Sequence, residues 1–162
     1  YQQLRDEVAN ELLHLVKNNS PEFFETLVVN LLVSMGYGGS VKEAGKATRK
    51  TADEGIDGVI KEDRLGLDTI YLQAKRWEGV VGRPEIQKFV GALHGQRAKK
   101  GVFITTSHFT KEALGYIEQV DPKVVLIDGS ELVQLMMDYD VGVSTAAVYD
   151  VKSVDTDFFV EE

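Results

Sequence analysis

The order of helical and β-type segments constrains the fold of this 162-residue chain more than any other feature. Two helical segments open the chain, and the second begins at Ser20-Pro21 and ends near Gly36. Three β-type segments follow within residues 37–75, as a meander. Two more strands, "GVFITTS" and "KVVLID", then alternate with three helical segments. This order predicts an α/β fold with a mixed central β-sheet flanked by helices on both faces.

Composition limits the class of protein further. A length of 162 residues and a 43% hydrophobic content fit one domain with a real core. The chain has no cysteine, which excludes disulfides and thiolate metal sites and fits a reducing cytoplasm. No signal peptide opens the chain, and no apolar run approaches the roughly 20 residues of a membrane span. Because the first residue is Tyr1 rather than Met, we expect an upstream part to be missing.

Charge is distributed unevenly along the chain. The net charge is −8 overall, yet residues 42–111 carry a net +5, whereas residues 1–41 carry −3 and residues 112–162 carry −10. A local basic surface can attract phosphate groups even when the whole chain is acidic. The alternative interpretation, a solvated lysine-rich face, explains the charge pattern equally well.

Two neighbouring β-type segments contain polar side chains where packing residues are expected. In "IYLQAK" (70–75), alternation along a strand places Tyr71, Gln73 and Lys75 on one face. If "GIDGVI" (55–60) pairs with this strand as a hairpin, Asp57 can approach Gln73 and Lys75. A buried, unpaired charge is costly, so these residues either pair with one another structurally or bind a ligand.

Phosphodiester hydrolysis is one chemistry that requires such a set. Carboxylate, amide and carbonyl oxygens bind hard divalent cations, and a nearby ammonium can orient the attacking water. Asp57, Gln73 and the backbone carbonyl of Ala74 could supply the oxygens, and Lys75 the ammonium. A second carboxylate could come from the preceding helix, at Glu25 or Glu22. Glu25 interrupts an apolar run, whereas Glu22 has a sufficient role in the first helical turn.

Six ordered segments make the chain similar to one known family. They are "SPEFFETLVVNLLVSMGYGG", "DEGIDGVI", "YLQAKRW", "GRPEIQKFVGALHG", "GVFITTSHFTKEAL" and "LIDGSELVQLM". Together they resemble the catalytic domain of the Mrr-like, modification-dependent (type IV) restriction endonucleases of the PD-(D/E)xK nuclease superfamily. The resemblance covers about residues 20–140. It implies a restriction-endonuclease-like core with the active site on its central hairpin.

The resemblance assigns roles residue by residue. Asp57 falls on the motif aspartate, Gln73-Ala74-Lys75 on the (D/E)xK element, and Glu25 on the helix glutamate. Gln73 departs from the superfamily pattern by replacing an acidic residue, as in the Mrr-like branch. The implied site has Asp57, Gln73, Lys75 and Glu25 as catalytic residues, with Mg²⁺ (or Mn²⁺ as its substitute) on Asp57, Gln73 and the Ala74 carbonyl. Glu22 and Gln87 are secondary candidates.

Basic residues around this element are candidate contacts to the DNA backbone, which give affinity without sequence information. For each of them, a solvated charge is the alternative. Trp77 could stack on a base, although packing under the sheet is the preferred interpretation. The candidate DNA contacts are Lys42, Lys46, Arg49, Lys50, Arg76 and Arg83.

The sequence therefore predicts a magnesium-dependent DNA endonuclease, acting on methylated DNA in the cytoplasm of a prokaryote as part of restriction. The expected partner is double-stranded DNA, the expected assembly a homodimer or higher oligomer, and neither a membrane nor a nucleotide cofactor is implied. The alternatives are a non-catalytic DNA-binding module and a junction-resolving nuclease on the same fold. The expected divisions are an N-terminal helix (1–19), the catalytic domain (20–142) and an acidic tail (143–162), with a DNA-binding domain upstream.

Overall fold

The computed structural model describes residues 1–38 and 55–160. The part of the meander predicted within residues 39–54 lies outside the described residues. Two short 3₁₀ segments, Ile117–Gln119 and Thr156–Phe159, accompany the main elements. The main elements are α1 (Gln2–Lys17), α2 (Pro21–Ser34), β1 (Gly58–Lys61), β2 (Thr69–Lys75), α3 (Arg83–Gly95), β3 (Lys100–Thr105), α4 (Lys111–Tyr116), β4 (Lys123–Ile127) and α5 (Gly129–Asp138).

The four described strands form one sheet in the order β1-β2-β3-β4. β1 and β2 are antiparallel, in a register that runs from the Gly58–Leu72 pair to the Lys61–Thr69 pair. β2, β3 and β4 are parallel to one another. The predicted hairpin and the predicted mixed sheet are therefore both confirmed.

Helices cover both faces of the sheet, as predicted. Ile70 and Leu72 of β2 pack with α1, α2 and α5 in one core, whereas Tyr71 packs against a second core formed with α3 and α4. Phe103 of β3 belongs to this second core and contacts Phe89 of α3 edge-to-face, with ring centroids 5.6 Å apart. The strands therefore alternate between two cores, and each face of the sheet is stabilised by burying apolar surface.

Short-range sequence features set both ends of α2, the helix that carries Glu25. The Ser20 side chain accepts a hydrogen bond from the Phe23 amide at 3.1 Å, and Pro21 begins the helix. At the other end, Gly36 adopts a φ of +101°. The Gly36 amide donates to the Val33 carbonyl, and the Tyr37 amide to the Leu32 carbonyl. These two bonds are a Schellman motif, so the predicted end of the helix at Gly36 is confirmed.

The described chain beyond residue 143 is exposed to solvent. Every described residue from 144 to 160 is exposed, and only the 3₁₀ segment Thr156–Phe159 has regular structure. Among residues 1–38 and 55–160, no helix is both long and apolar enough to cross a membrane.

Candidate active site

The hairpin of β1 and β2 brings most of the predicted site residues to one end of the sheet. Gln73, Ala74 and Lys75 are the last three residues of β2. Asp57 directly precedes β1, and the antiparallel register, extended one step beyond the Gly58–Leu72 pair, brings Asp57 opposite Gln73. The hairpin geometry thus places the two elements of the predicted motif side by side.

Asp57 is held against β2 through both its backbone and its side chain. Its amide donates to the Leu72 carbonyl at 2.7 Å. Its carboxylate oxygen Oδ2 accepts a hydrogen bond from the Ala74 amide, also at 2.7 Å. A charged acceptor strengthens such a bond, so the position of the carboxylate at the end of β2 is well defined.

Glu25 of α2 lies on the same side of the sheet as this carboxylate. Glu25 is half-buried, and it lines a small cavity together with Asp57. Two predicted acidic residues, distant in sequence, therefore share one cavity. Its lining residues are Glu25, Val28, Val29, Asp57, Gly58, Leu72 and Ala74.

Gln73 is buried with only 4% of its surface exposed. Its amide oxygen Oε1 finds no hydrogen-bond partner among the described residues. Leaving a buried acceptor unsatisfied costs about 1–3 kcal/mol, so this oxygen needs an explanation. A cation or a water would provide the missing partner.

Lys75 is half-buried at the end of β2. Its ammonium nitrogen Nζ lies 5.3 Å from the ring centroid of Trp77, within the range of a cation–π contact. Trp77 itself packs against the second core, as expected from the sequence. Because side chains alternate along β2, Gln73 and Lys75 lie on the face opposite Ala74 and do not line the described cavity of Asp57 and Glu25. The four-residue cluster therefore stays a prediction.

Two threonines at the end of β3 belong to the site's surroundings, and the sequence analysis missed them. The Thr105 hydroxyl donates to the Lys75 carbonyl at 2.8 Å, and the Thr106 hydroxyl donates to the Trp77 carbonyl at 3.0 Å. Both residues are buried. The signal was the run Thr105-Thr106-Ser107, three hydroxyl residues closing an otherwise apolar strand.

The candidate DNA-contact residues differ in their exposure and in their contacts with the rest of the protein. The Arg76 guanidinium donates to the Lys17 carbonyl at the end of α1, at 2.9 Å, which is a structural contact. Arg83 is exposed, with its guanidinium 5.0 Å from the Tyr116 ring centroid. Gln87 on α3 and Glu22 in the first turn of α2 are both exposed. Lys42, Lys46, Arg49 and Lys50 lie outside the described residues.

No group of three or more histidine, cysteine or acidic residues suited to a metal occurs within 1–38 and 55–160. Among these described residues, amide and carbonyl oxygens could join the carboxylates as cation ligands. Such oxygen ligands suit magnesium and manganese. The Gln73 oxygen, which has no hydrogen-bond partner among the described residues, is one candidate for such a ligand.

The main ion-pair cluster with shifted pKa values lies at the opposite end of the sheet. Lys100, which begins β3, forms ion pairs with Glu62 and Asp68. The hydrogen bond from Lys100 holds the pKa of Asp68 below its ordinary value. The hydrogen bonds to Asp68 and Glu62 raise the pKa of Lys100. This cluster joins the β1–β2 connection to β3 and is separate from the candidate site.

Comparisons with known proteins show the family of this chain. A family model described as a restriction endonuclease, Mrr_cat, matches residues 16–136. The type IV methyl-directed restriction enzyme EcoKMrr of Escherichia coli (strain K12) is 48% identical over 157 residues, which are 97% of this chain and 51% of that enzyme. The chain thus spans about half the length of this relative.

Two solved structures have a similar fold. The DNA modification-dependent restriction endonuclease AspBHI matches with a TM-score of 0.64 and 19% identity, over 85% of this chain and 36% of that chain. The MspJI restriction endonuclease, solved in complex with a 27-mer oligonucleotide, matches with a TM-score of 0.58 and 21% identity, over 82% of this chain and 31% of that chain. At these identities the likeness concerns the fold alone, and it confirms the predicted restriction-endonuclease-like core.

Proposed function

Because the chain belongs to the Mrr_cat family of restriction endonuclease domains, we propose that it is a metal-dependent endonuclease that hydrolyses the phosphodiester backbone of methylated DNA. The preference for methylated DNA is proposed from the name of the E. coli relative. A role in restriction of foreign DNA in a prokaryotic cytoplasm follows from the same relationship.

One observation carries the proposal: the Asp57 carboxylate is anchored by the Ala74 amide at the end of β2. This bond fixes the carboxylate where β2 ends. Glu25 lines the same cavity, and Gln73 and Lys75 come from the same strand end. A carboxylate held at a strand end that also carries a buried amide oxygen and a lysine suits the hydrolysis of a phosphodiester.

The residues present fit a divalent cation. Asp57, the Gln73 amide oxygen and the Ala74 carbonyl would hold Mg²⁺, or Mn²⁺ in its place, with Glu25 in support. The unsatisfied Gln73 oxygen is the observation that favours this ligand set. When bound, the cation supplies positive charge that stabilises the transition state of phosphodiester hydrolysis.

The chain's own residues have separate roles in the proposed reaction. Lys75 orients the attacking water and offsets the negative charge that develops on the phosphate. The water oxygen bonds to phosphorus and releases a proton to solvent as the bond to the leaving sugar oxygen breaks, and that sugar oxygen takes a proton from solvent. Asp57, with Glu25 in support, would hold the cation close to the attacked phosphate.

Double-stranded DNA is the proposed partner, and Arg83 is the best-exposed candidate contact among the described arginines of the predicted set. Lys42, Lys46, Arg49 and Lys50 remain proposed contacts as well. The bond from Arg76 to the Lys17 carbonyl favours a structural role for Arg76 over a DNA contact. Cutting both strands requires two active sites, so a homodimer or higher assembly belongs to the proposal.

The test is cleavage of methylated and unmethylated plasmid in the presence of Mg²⁺, by the wild type, Lys75→Ala and Lys123→Ala. Lys123 is a matched control because it begins β4, whereas Lys75 ends β2. Since β2, β3 and β4 are parallel, the two lysines lie at opposite ends of the strands. We expect nicking or linearisation by the wild type and Lys123→Ala, at least about 100-fold slower in Lys75→Ala.

Two further measurements separate the competing functions. Titration of Mn²⁺ into the wild type and Asp57→Ala should show binding that the substitution abolishes, whereas a protein that only binds DNA would show none. Preferential cleavage of four-way junctions over methylated duplex would instead identify a junction-resolving nuclease and count against the restriction proposal.

A further inference from the structure

The backbone carbonyl of Lys75 is surrounded by hydrogen-bond donors. It accepts from the Thr105 hydroxyl at 2.8 Å, from the Trp77 amide at 3.1 Å and from the Thr106 amide at 3.3 Å. A carbonyl oxygen has two lone pairs, so three donors saturate it. The shortest of the three bonds comes from a side chain.

The Thr105 hydroxyl is fixed in direction as well as in position. Thr105 is fully buried, and its Oγ1 accepts a hydrogen bond from the Ser107 amide at 3.1 Å. A hydroxyl has one proton to donate. Because the Ser107 amide occupies one acceptor site of Oγ1, the hydroxyl proton is directed at the Lys75 carbonyl.

The hydrogen bond from Thr105 to the Lys75 carbonyl lies at the end of the pairing between β2 and β3. Lys75 and Thr105 form the last pair in the register of β2 and β3. Beyond this pair the chain turns, and the Trp77 carbonyl is held by the Thr106 hydroxyl at 3.0 Å. Two adjacent threonine hydroxyls of β3 therefore anchor the segment that carries the Lys75 side chain.

The two threonine hydrogen bonds bear on the position of the Lys75 ammonium because the lysine side chain is flexible. Four rotatable bonds separate the Lys75 backbone from its ammonium, so side-chain packing alone fixes the ammonium weakly. The contact of Nζ with the Trp77 ring, at 5.3 Å, requires the backbone of both residues to be held in a set relation. The threonine hydroxyls provide that relation.

We propose that Thr105 is a positioning residue that orients Lys75 for hydrolysis through its hydrogen bond to the Lys75 carbonyl. The inference rests on the proposed nuclease function for its effect on cleavage. Its geometric part, that Thr105 sets the place of the Lys75 ammonium over Trp77, stands independently of any activity.

The experiment compares the whole chain carrying Thr105→Val, Thr105→Ser, Thr105→Cys or Thr110→Val with the wild type. Valine keeps the shape of threonine and loses the hydroxyl, serine keeps the hydroxyl, and cysteine keeps only a weak donor. Thr110→Val is the matched control, because the Thr110 hydroxyl accepts from the Ala113 amide at the start of α4, away from Lys75. The readouts are single-turnover plasmid cleavage, DNA affinity without metal, and the emission of Trp77, the chain's only tryptophan.

We expect Thr105→Val to slow cleavage by about 10- to 100-fold at unchanged DNA affinity, because a small displacement of a catalytic group has effects of that order. Thr105→Ser should retain the wild-type rate within about threefold, and Thr105→Cys should be intermediate. Thr110→Val should cleave as the wild type does. If the valine variant fails to fold, the serine and cysteine variants carry the comparison. Equal rates for Thr105→Val and the wild type, or equal losses in Thr105→Val and Thr110→Val, would overturn the assignment.

A failure of the proposed function is recognisable separately. If the wild type and Lys75→Ala cleave alike, or neither cleaves, the nuclease proposal fails while the Trp77 emission still decides the positioning. A Thr105→Val emission spectrum shifted toward that of Lys75→Ala supports the geometric part. A Thr105→Val spectrum identical to that of the wild type contradicts it.

Discussion

At the residue scale, the most informative group is the buried amide of Gln73. Among the described residues its Oε1 has no hydrogen-bond partner, and a buried polar atom without a partner lowers stability unless a water or a bound ion supplies one. Its neighbour Asp57 is in the opposite situation, since its carboxylate accepts the Ala74 amide. The two predicted metal ligands therefore differ: the Asp57 carboxylate has a hydrogen bond within the protein, whereas the Gln73 oxygen has none among the described residues.

We expect Gln73→Met to stabilise the metal-free protein by about 1 kcal/mol, because the substitution removes an unsatisfied oxygen while keeping most of the volume. The same variant should lose the stabilisation that Mg²⁺ gives the wild type, because ligand binding to the native state raises its stability. Urea unfolding with EDTA and with Mg²⁺ measures both effects.

Ile70→Met is the matched control, since Ile70 is buried on β2, faces the first core and does not line the cavity of Asp57 and Glu25. This control should leave the effect of Mg²⁺ intact. A Gln73→Met variant that is destabilised in EDTA yet keeps its response to Mg²⁺ would show that Gln73 is a packing residue and no ligand.

The sequence predicted which residues belong to the candidate site, but not how deeply they are buried or which hydrogen bonds they make. The alternation in "IYLQAK" was sufficient to place Gln73 and Lys75 on one face, and the predicted hairpin brought Asp57 toward them. Glu25 was one of two candidate carboxylates until the resemblance selected it. No local pattern could predict that Gln73 is buried at 4% exposure, because burial depends on how β2 is covered by the rest of the fold. The hydrogen bond from Thr105 to Lys75 was equally out of reach, since it depends on the register of β2 and β3.

At the element scale, the two ends of the sheet have different tasks. The candidate site lies where β2 ends, whereas the connection that leads into β2 is held by ion pairs of Lys100 with Glu62 and Asp68. The order of helices and strands was predictable from segment patterns, because each segment carries its own periodicity and capping residues. The ion pairs were not, because they join residues that only the strand pairing brings together.

The cluster around Lys100 predicts a specific pH dependence of stability. The pKa of Asp68 is lowered in the folded state by its hydrogen bond from Lys100, so the associated stability is present above the unfolded value of about 3.9. This stability is lost as the pH falls through the lower folded value. The raised pKa of Lys100 contributes stability that is lost only at alkaline pH.

We therefore expect Lys100→Met to lower the melting temperature at pH 7, with the difference from the wild type shrinking as the pH falls below about 4. Thermal unfolding between pH 2 and pH 7 checks this expectation. Lys123→Met, an exposed lysine at the start of β4, should change the melting temperature little at any of these pH values. A Lys100→Met difference that is constant down to pH 2 would refute the role of the Asp68 ion pair.

At the scale of the whole molecule, charge and packing divide the chain into unlike parts. Two cores on either side of the sheet hold residues 1–38 and 55–143 together, as far as the structure describes them. The segment 144–160 is exposed throughout, including Tyr149, Phe158 and Phe159. Charge patterning predicted an acidic tail at 143–162. Within the described residues no part of this segment joins the sheet, and its apolar side chains stay exposed.

Deleting residues 144–162 provides the test at this scale. The deletion removes five acidic residues and one lysine, so the net charge changes from −8 to −4. The free energy of unfolding should change by less than about 0.5 kcal/mol, because surface changes that bury nothing have effects of this size. DNA affinity should rise at low salt, since less negative charge repels the phosphates, and the gain should vanish near 1 M salt, where the Debye length is about 3 Å.

Urea unfolding and DNA binding at several salt concentrations check these two expectations together. Substituting Asp150, Asp155 and Asp157 with asparagine is the matched control, because it removes charge from the tail while keeping its length and apolar residues. The control should reproduce most of the gain in affinity if repulsion is the cause. A deletion that lowers the free energy of unfolding by more than about 1 kcal/mol would show instead that the tail packs on the folded body, because only the loss of buried contacts has effects of that size.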